Sequence, residues 1–142
     1  MAILLDEIEA LVHRFFEAVK SGSAADQAAC FLDPHARIHI VNTGDTIGFE
    51  DHAKLHRQWT NERHLFGHFT LTPLTTAPER ARATGTVYWQ AEYRDGRRPN
   101  VIRSVVGEDW IVERIPSGAL RFVLYMNTFH HLLPDSAPLR LD

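Results

Sequence analysis

Nine histidines in a chain of 142 residues is a high count, and imidazole is the side chain whose charge changes nearest neutral pH. Proton transfer is therefore the first chemistry to look for. His52 and His56 stand four apart, a spacing that puts both on one face of a helix. The same spacing can hold a metal. No glutamate lies between them and no third ligand is signalled, so no metal is expected. His64 and His68 repeat the spacing at what reads as a strand start, where the two would not converge. His56 is the candidate general acid or base, with the polar strand residues Asn127 and Asp109 as its partners. The plainer alternative for His56 is a histidine hydrogen-bonded to a backbone carbonyl at a helix–sheet boundary. His39 lies between Ile38 and Ile40 and reads as facing away from them, toward a dimer contact. His130 and His131 close the last strand and read as rim residues.

A second group of side chains suits binding rather than proton transfer. Phe15, Phe16, Trp59, Trp89, Trp110 and Tyr125 could line an apolar pocket that stacks on a ring-containing ligand; some of them must simply fill the core. Trp89 is the most pocket-like, because Gly85 and Ala91 on the same strand face leave room beside it. Arg103, Asp109, Glu113 and Asn127 interrupt strands that otherwise read as buried, and a buried charge requires a partner. An Arg103–carboxylate pair is expected on that ground. No glycine-rich phosphate loop, serine elbow or nucleotide fingerprint occurs, and no cofactor is expected.

The elements that would position these residues can be read from periodicity. Ile8, Leu11, Val12, Phe15, Phe16 and Val19 form a helical stripe over about residues 3–21, ended by Gly22. Ser23-Ala-Ala-Asp26 opens a short second helix to about Leu32, and Asp33-Pro34 stops it. Residues 36–41 alternate as a strand, Asn42-Thr43-Gly44 is a turn, and a short extended piece lies near 46–47. A third helix is expected from Glu50 to about Asn61, with His52, Leu55, His56 and Trp59 on one face. Four long strands follow. Phe66–Thr75 is the first, and residues 83–93, with strict alternation, are the second. The turn Asp95-Gly96 leads to the third and fourth, residues 101–115 and 119–131. Their apolar residues fall on both faces, which predicts a homodimer through the outer sheet face. Residues 134–142 read as an extended arm.

Composition narrows the function classes. With 44% hydrophobic and 23% charged residues the chain is globular, and its length suits one domain spanning 1–142. The net charge is −3 with only two lysines, which argues against nucleic acid as a partner. No stretch is long and apolar enough for a bilayer, and Leu4-Leu5 runs at once into Asp6 and Glu7, unlike a signal peptide. Cys30 is the one cysteine, so no intrachain disulfide can form and a small buried role is expected. A cytoplasmic location is expected for such a chain.

The element order is helix, helix, strand, short strand, helix and four long antiparallel strands. It resembles the nuclear transport factor 2-like superfamily, the cone-shaped α+β fold of ketosteroid isomerase, scytalone dehydratase and the SnoaL-like polyketide cyclases. Local segments carry the resemblance too: Phe15-Phe16-Glu17-Ala18 before Gly22, Phe31-Leu32-Asp33-Pro34, Gly48-Phe49-Glu50, and Trp110-Ile-Val-Glu-Arg114 followed by Gly118. The resemblance implies an α+β roll with three amino-terminal helices on a curved, mostly antiparallel sheet. It also implies a pocket for a small hydrophobic ligand. An isomerase, dehydratase or cyclase acting on a hydrophobic cyclic substrate is one outcome; a non-catalytic binding or dimerisation module is the other. Where ketosteroid isomerase carries its aspartate base and tyrosine donor, this chain has Ile40 and Phe15, which can do neither job. Two titratable groups converging in the pocket would favour the enzyme.

Overall fold

A computed structural model of the chain describes residues 2–74 and 76–139. The first helix, α1 (Leu5–Lys20), buries the predicted stripe from Ile8 to Val19. The Glu7 carboxylate caps its start by accepting from the Leu4 amide at 2.9 Å and receives both terminal nitrogens of Arg114, at 3.0 and 2.9 Å. Gly22 ends α1 with φ +67°, where a side chain would also collide with Arg57 at 2.6 Å. The second helix, α2 (Ala24–Ala28), is capped by Ser23, whose hydroxyl accepts from the Asp26 amide. Two short strands, β1 (Ile38–Ile40) and β2 (Asp45–Ile47), precede α3 (Phe49–Arg57).

Four long strands follow: β3 (Thr60–Pro73), β4 (Arg80–Asp95), β5 (Arg98–Arg114) and β6 (Leu120–Leu132). They join β1 and β2 in one six-stranded sheet of order β2-β1-β6-β5-β4-β3. All pairs are antiparallel except β1 with β6. The fold is an α+β cone: helices packed on one face of a curved, open, mostly antiparallel sheet. α1 lies across the inner face, where Phe15 packs on Phe31, Phe122 and Tyr125. Gly85 faces inward, and a Cβ there would come within 2.5 Å of Phe69 and 3.0 Å of Trp110. The room beside Trp89's strand neighbour is therefore filled by protein.

Three expected boundaries move most. α2 ends at Ala28 rather than near Leu32. α3 stops at Arg57 rather than near Asn61, so Trp59 sits in the link to β3 and not on the helix. β3 begins at Thr60 rather than Phe66, because it is the sheet's edge strand. Its outer residues meet water, and its polar start carries no apolar alternation. The carboxy-terminal arm is pinned along β5 as far as it is described: the Ala137 amide donates to Val101, and the Arg103 amide to the Ser136 hydroxyl. Arg103 does find a carboxylate, Asp135 of that arm, at 3.2 Å. Residues 140–142 of the expected arm lie outside the described residues. Among the described residues, no helix is long and apolar enough to cross a membrane.

Candidate functional site

The inner face of the sheet and α3 enclose a cavity of about 880 Å³. Its wall is built by α1, β1, β2 and the turn between them, α3, Trp59, His64 of β3 and the central stretches of β4, β5 and β6, with Leu139 of the arm at one side. Phe15, Phe16, Trp59, Trp89 and Tyr125, all proposed from sequence, line it, and so do His56 and Asn127. Trp110 does not: it is fully buried behind the wall, against Phe69 and Tyr125. Asp109 is elsewhere too. It pairs with Arg82 across the β4–β5 ladder, Oδ2 to Nη2 at 2.6 Å, because odd positions of β5 face outward while Glu108 and Trp110 face in. Trp59 and Trp89 meet edge to face with centroids 4.9 Å apart, so a ligand touches them from the cavity side and cannot lie between them.

Near α3 the polar groups form a connected set. His56 Nδ1 lies 2.9 and 3.0 Å from the two oxygens of Glu62, a buried carboxylate on β3. Trp89 donates its indole N–H to the same carboxylate at 3.2 Å. A carboxylate only accepts, so neutral His56 carries its proton on Nδ1 and its lone pair on Nε2. Glu62 sits behind His56 rather than in the cavity wall. His64, stacked on Phe16 at 4.1 Å, has its Nε2 3.9 Å from Glu62. Burial first, then the charges of His56, Lys20 and His13, push its pKa down to about 3. His52 lines the same wall, one helical turn before His56, with ring centroids 4.4 Å apart. The Nδ1 atoms of His52 and His56 thus meet different partners, the Gln27 amide and the Glu62 carboxylate. Among the described residues, no group of three or more His, Cys, Asp or Glu side chains is arranged to hold a metal ion.

On the sheet side, Glu108 is buried in the cavity wall, with the Asn127 amide donating to it at 3.3 Å and the Tyr125 hydroxyl beside it. Burial raises its pKa well above the ordinary carboxyl value, outweighing the hydrogen bond from Tyr125. Tyr125 is raised as well, by burial and then by the Glu108 charge. His130 also lines the cavity and contacts Trp89, so it is a wall residue rather than a rim one, while His131 is exposed. His39 does not line the cavity, whereas its neighbours Ile38 and Ile40 do.

Sequence reasoning passed over Glu62, Glu108 and Gln27. A signal existed for Glu108: it stands two residues from Trp110, and alternation places both on one face. None existed for Glu62, which lies in the polar edge-strand start.

A raised carboxyl in the folded state has a definite consequence for stability. The folded protein holds the Glu108 proton at pH values where the unfolded chain has lost it, so stability falls as pH climbs above the ordinary carboxyl value of 4.5. Glu108→Gln is expected to remove that loss. Its melting temperature should match the wild type near pH 4 and exceed it at pH 8, by a gain of about 1–2 kcal/mol, the usual size for one stabilising change. Parallel thermal melts at the two pH values test it, and an equal midpoint at pH 8 counts against a buried, protonated Glu108.

These features define an NTF2-like cone with an inward-facing cavity. The chain belongs to the SnoaL-like domain family, whose model matches residues 3–125. Among solved structures it is similar to a Novosphingobium aromaticivorans protein provisionally assigned as an aromatic ring hydroxylase. They share 16% identity over 91% of this chain and 92% of that one, with a TM-score of 0.68. It is also similar to a protein of the same organism provisionally assigned as a scytalone dehydratase, at 14% identity over 96% and 89% of the two chains, TM-score 0.66. ActVI-ORFA from Streptomyces coelicolor shares 14% identity over 88% of this chain and 95% of its own, TM-score 0.63. No curated protein matches the chain.

Proposed function

We propose that this protein is a cofactor-free acid–base enzyme, an isomerase, dehydratase or cyclase, acting on a hydrophobic cyclic substrate held in the cavity. The observation that carries the reading is that two unlike groups line one cavity. One is an imidazole tied to a carboxylate, His56 with Glu62; the other is a buried carboxyl, Glu108, with Asn127 and Tyr125 beside it. A carboxyl that burial keeps protonated, together with an imidazole free to accept a proton, supplies the acid and the base that such chemistry requires. His56 Nε2 removes a proton next to a carbonyl, and Glu62 stabilises the imidazolium that forms. Glu108, holding its proton, donates a hydrogen bond to the oxygen that gains charge. Returning the His56 proton to another carbon completes an isomerisation. Giving it to a departing hydroxyl completes a dehydration, with water as product. The apolar rings of Phe15, Phe16, Trp59 and Trp89 provide the surface for the substrate ring.

The direct test uses 2-tetralone, a cyclic ketone with exchangeable α-protons, in D₂O. Wild-type protein is expected to accelerate deuterium incorporation seen by proton NMR, and His56→Ala is expected to abolish the acceleration. If wild type and variant exchange at the buffer rate, the non-catalytic binding module becomes the better reading.

Binding can be tested without turnover. A planar ligand in the cavity should quench tryptophan fluorescence through Trp59 and Trp89. Trp89→Ala should weaken its binding by roughly 1 kcal/mol, the worth of one aromatic contact beyond area. A broad panel of planar compounds that leaves the fluorescence unchanged argues against an aromatic-lined ligand site.

The same reading includes a homodimer through the outer sheet face and one domain over the chain. Val101, Val105, Ile111, Val123, Leu124 and Met126 remain partly exposed on β5 and β6. An apolar face of this kind is more often covered than open. Light scattering at micromolar concentration should report twice the chain mass of 16.2 kDa; a monomer refutes it.

A further inference from the structure

The two imidazoles on the α3 wall have partners of different chemistry. His56 meets the Glu62 carboxylate. His52 Nδ1 meets an uncharged amide oxygen, Gln27 Oε1, at 2.8 Å. Gln27 is fully buried on α2, with its own Nε2 unpartnered, so the protein keeps a costly polar group inside and uses it on one ring nitrogen of His52. The His52 ring is also held flat against Phe15, 10° between planes at 6.2 Å, and packs on His56. Its other nitrogen, Nε2, has no hydrogen-bond partner among the described residues, and the ring lines the cavity.

We propose that His52 is a specificity-determining residue: with Gln27 holding its Nδ1–H, its Nε2 accepts a hydrogen bond from a hydroxyl of the ring-containing ligand. The preferred ligand is therefore a hydroxylated ring, phenol or cyclic alcohol, and not a plain hydrocarbon or an ether. An acceptor in an apolar wall rejects a ligand that lacks the matching donor, because the acceptor is then left buried and unpaired. His52 suits this constant role because it stays neutral. Burial, then the charges of His56 and His64, hold its pKa well below the ordinary histidine value, and Gln27 brings no charge to offset them. Phe15 stacks beside it, and Asp51, the preceding residue, is exposed at the helix surface. The inference rests on the cavity being the ligand site in the acid–base reading, and it does not require turnover.

Two measurements on the intact protein test it. Long-range ¹H–¹⁵N NMR of the wild type should show His52 protonated on Nδ1, bare on Nε2, and unchanged from pH 5 to 8. In Gln27→Glu, a carboxylate beside Nδ1 should make His52 titrate inside that range. Separately, 2-naphthol should bind the wild type roughly tenfold more tightly than naphthalene, as one buried hydrogen bond allows. The preference should fall below about twofold in His52→Phe and in Gln27→Met, each checked for folding by circular dichroism. A proton on Nε2, or equal wild-type affinity for the two probes, would overturn the proposal. Failure of both probes to bind at millimolar concentration would overturn it together with the ring-binding cavity. A naphthol preference that stands while 2-tetralone exchange fails supports the His52 role and removes only the catalytic reading.

Discussion

Glu62→Gln is expected to slow saturating 2-tetralone exchange by two to three orders of magnitude while changing the half-saturation concentration no more than about threefold. The carboxamide keeps the size of the side chain, and its oxygen can still accept from His56 Nδ1 and Trp89 Nε1, so the wall should keep its shape. What it loses is the charge that stabilises imidazolium after His56 has taken a proton. General-base catalysis by a positioned side chain contributes about 10²–10⁴ in rate, and a base whose imidazolium no longer has a carboxylate partner forfeits much of that. The split between rate and half-saturation is the informative part. Glu62 stands behind His56 and out of the cavity wall, so it should act on the proton-transfer step and hardly on binding. A rate within threefold of wild type would mean that His56 works without Glu62, or does not work as the base.

Trp110→Ala should be the most destabilising single change in the wall's support, by about 3–5 kcal/mol. Trp110 is fully buried, meets Phe69 edge to face at 5.1 Å and Tyr125 at 6.1 Å, and fills the space that Gly85 leaves open. Alanine would leave a void beneath Tyr125 and Glu108 that the rigid sheet cannot close. That loss is a large share of the roughly 5–15 kcal/mol by which a domain of this kind is stable. At about 3–4 °C per kcal/mol for this chain length, the melting temperature should fall by roughly 9–20 °C. Because Trp110 does not touch the cavity, ligand affinity measured well below the transition should fall far less than in Trp89→Ala. A melting temperature within 3 °C of wild type would show that the sheet repacks around the vacancy.

Local periodicity was enough for the elements. The stripe from Ile8 to Val19 and the alternation from Ala83 to Tyr93 are properties of neighbouring residues. A helix or strand made from them buries the expected side chains wherever it ends up. Their order was enough for the cone, and with it came most of the aromatic wall and His56. Three features had no local signature. The α3–β3 boundary depends on β3 being an edge strand, which only the sheet order decides, and Trp59 and Glu62 lie on the wrong side of the expected boundary for that reason.

The inward residues of β6 depend on its ladder with β5. Ile111 and Val112 pair with Leu124 and Phe122, and Gly107 and Glu108 pair with Phe129 and Asn127, so Val123 and Thr128 are each an extra residue. Each bulge flips the parity of the strand. Tyr125 and Asn127 turn inward after the first and His130 after the second, whereas strict alternation from Phe122 would send Tyr125 outward. The partners of the polar residues are likewise set by how the elements dock. Glu62 finds His56 across a turn of chain, Gln27 finds His52 from another helix, and Glu108 rather than Asp109 faces Asn127. Residue types and spacings determined which side chains could carry a proton. Strand pairing and helix docking decided which of them share a cavity, because those distances are set by contacts between segments far apart in the chain.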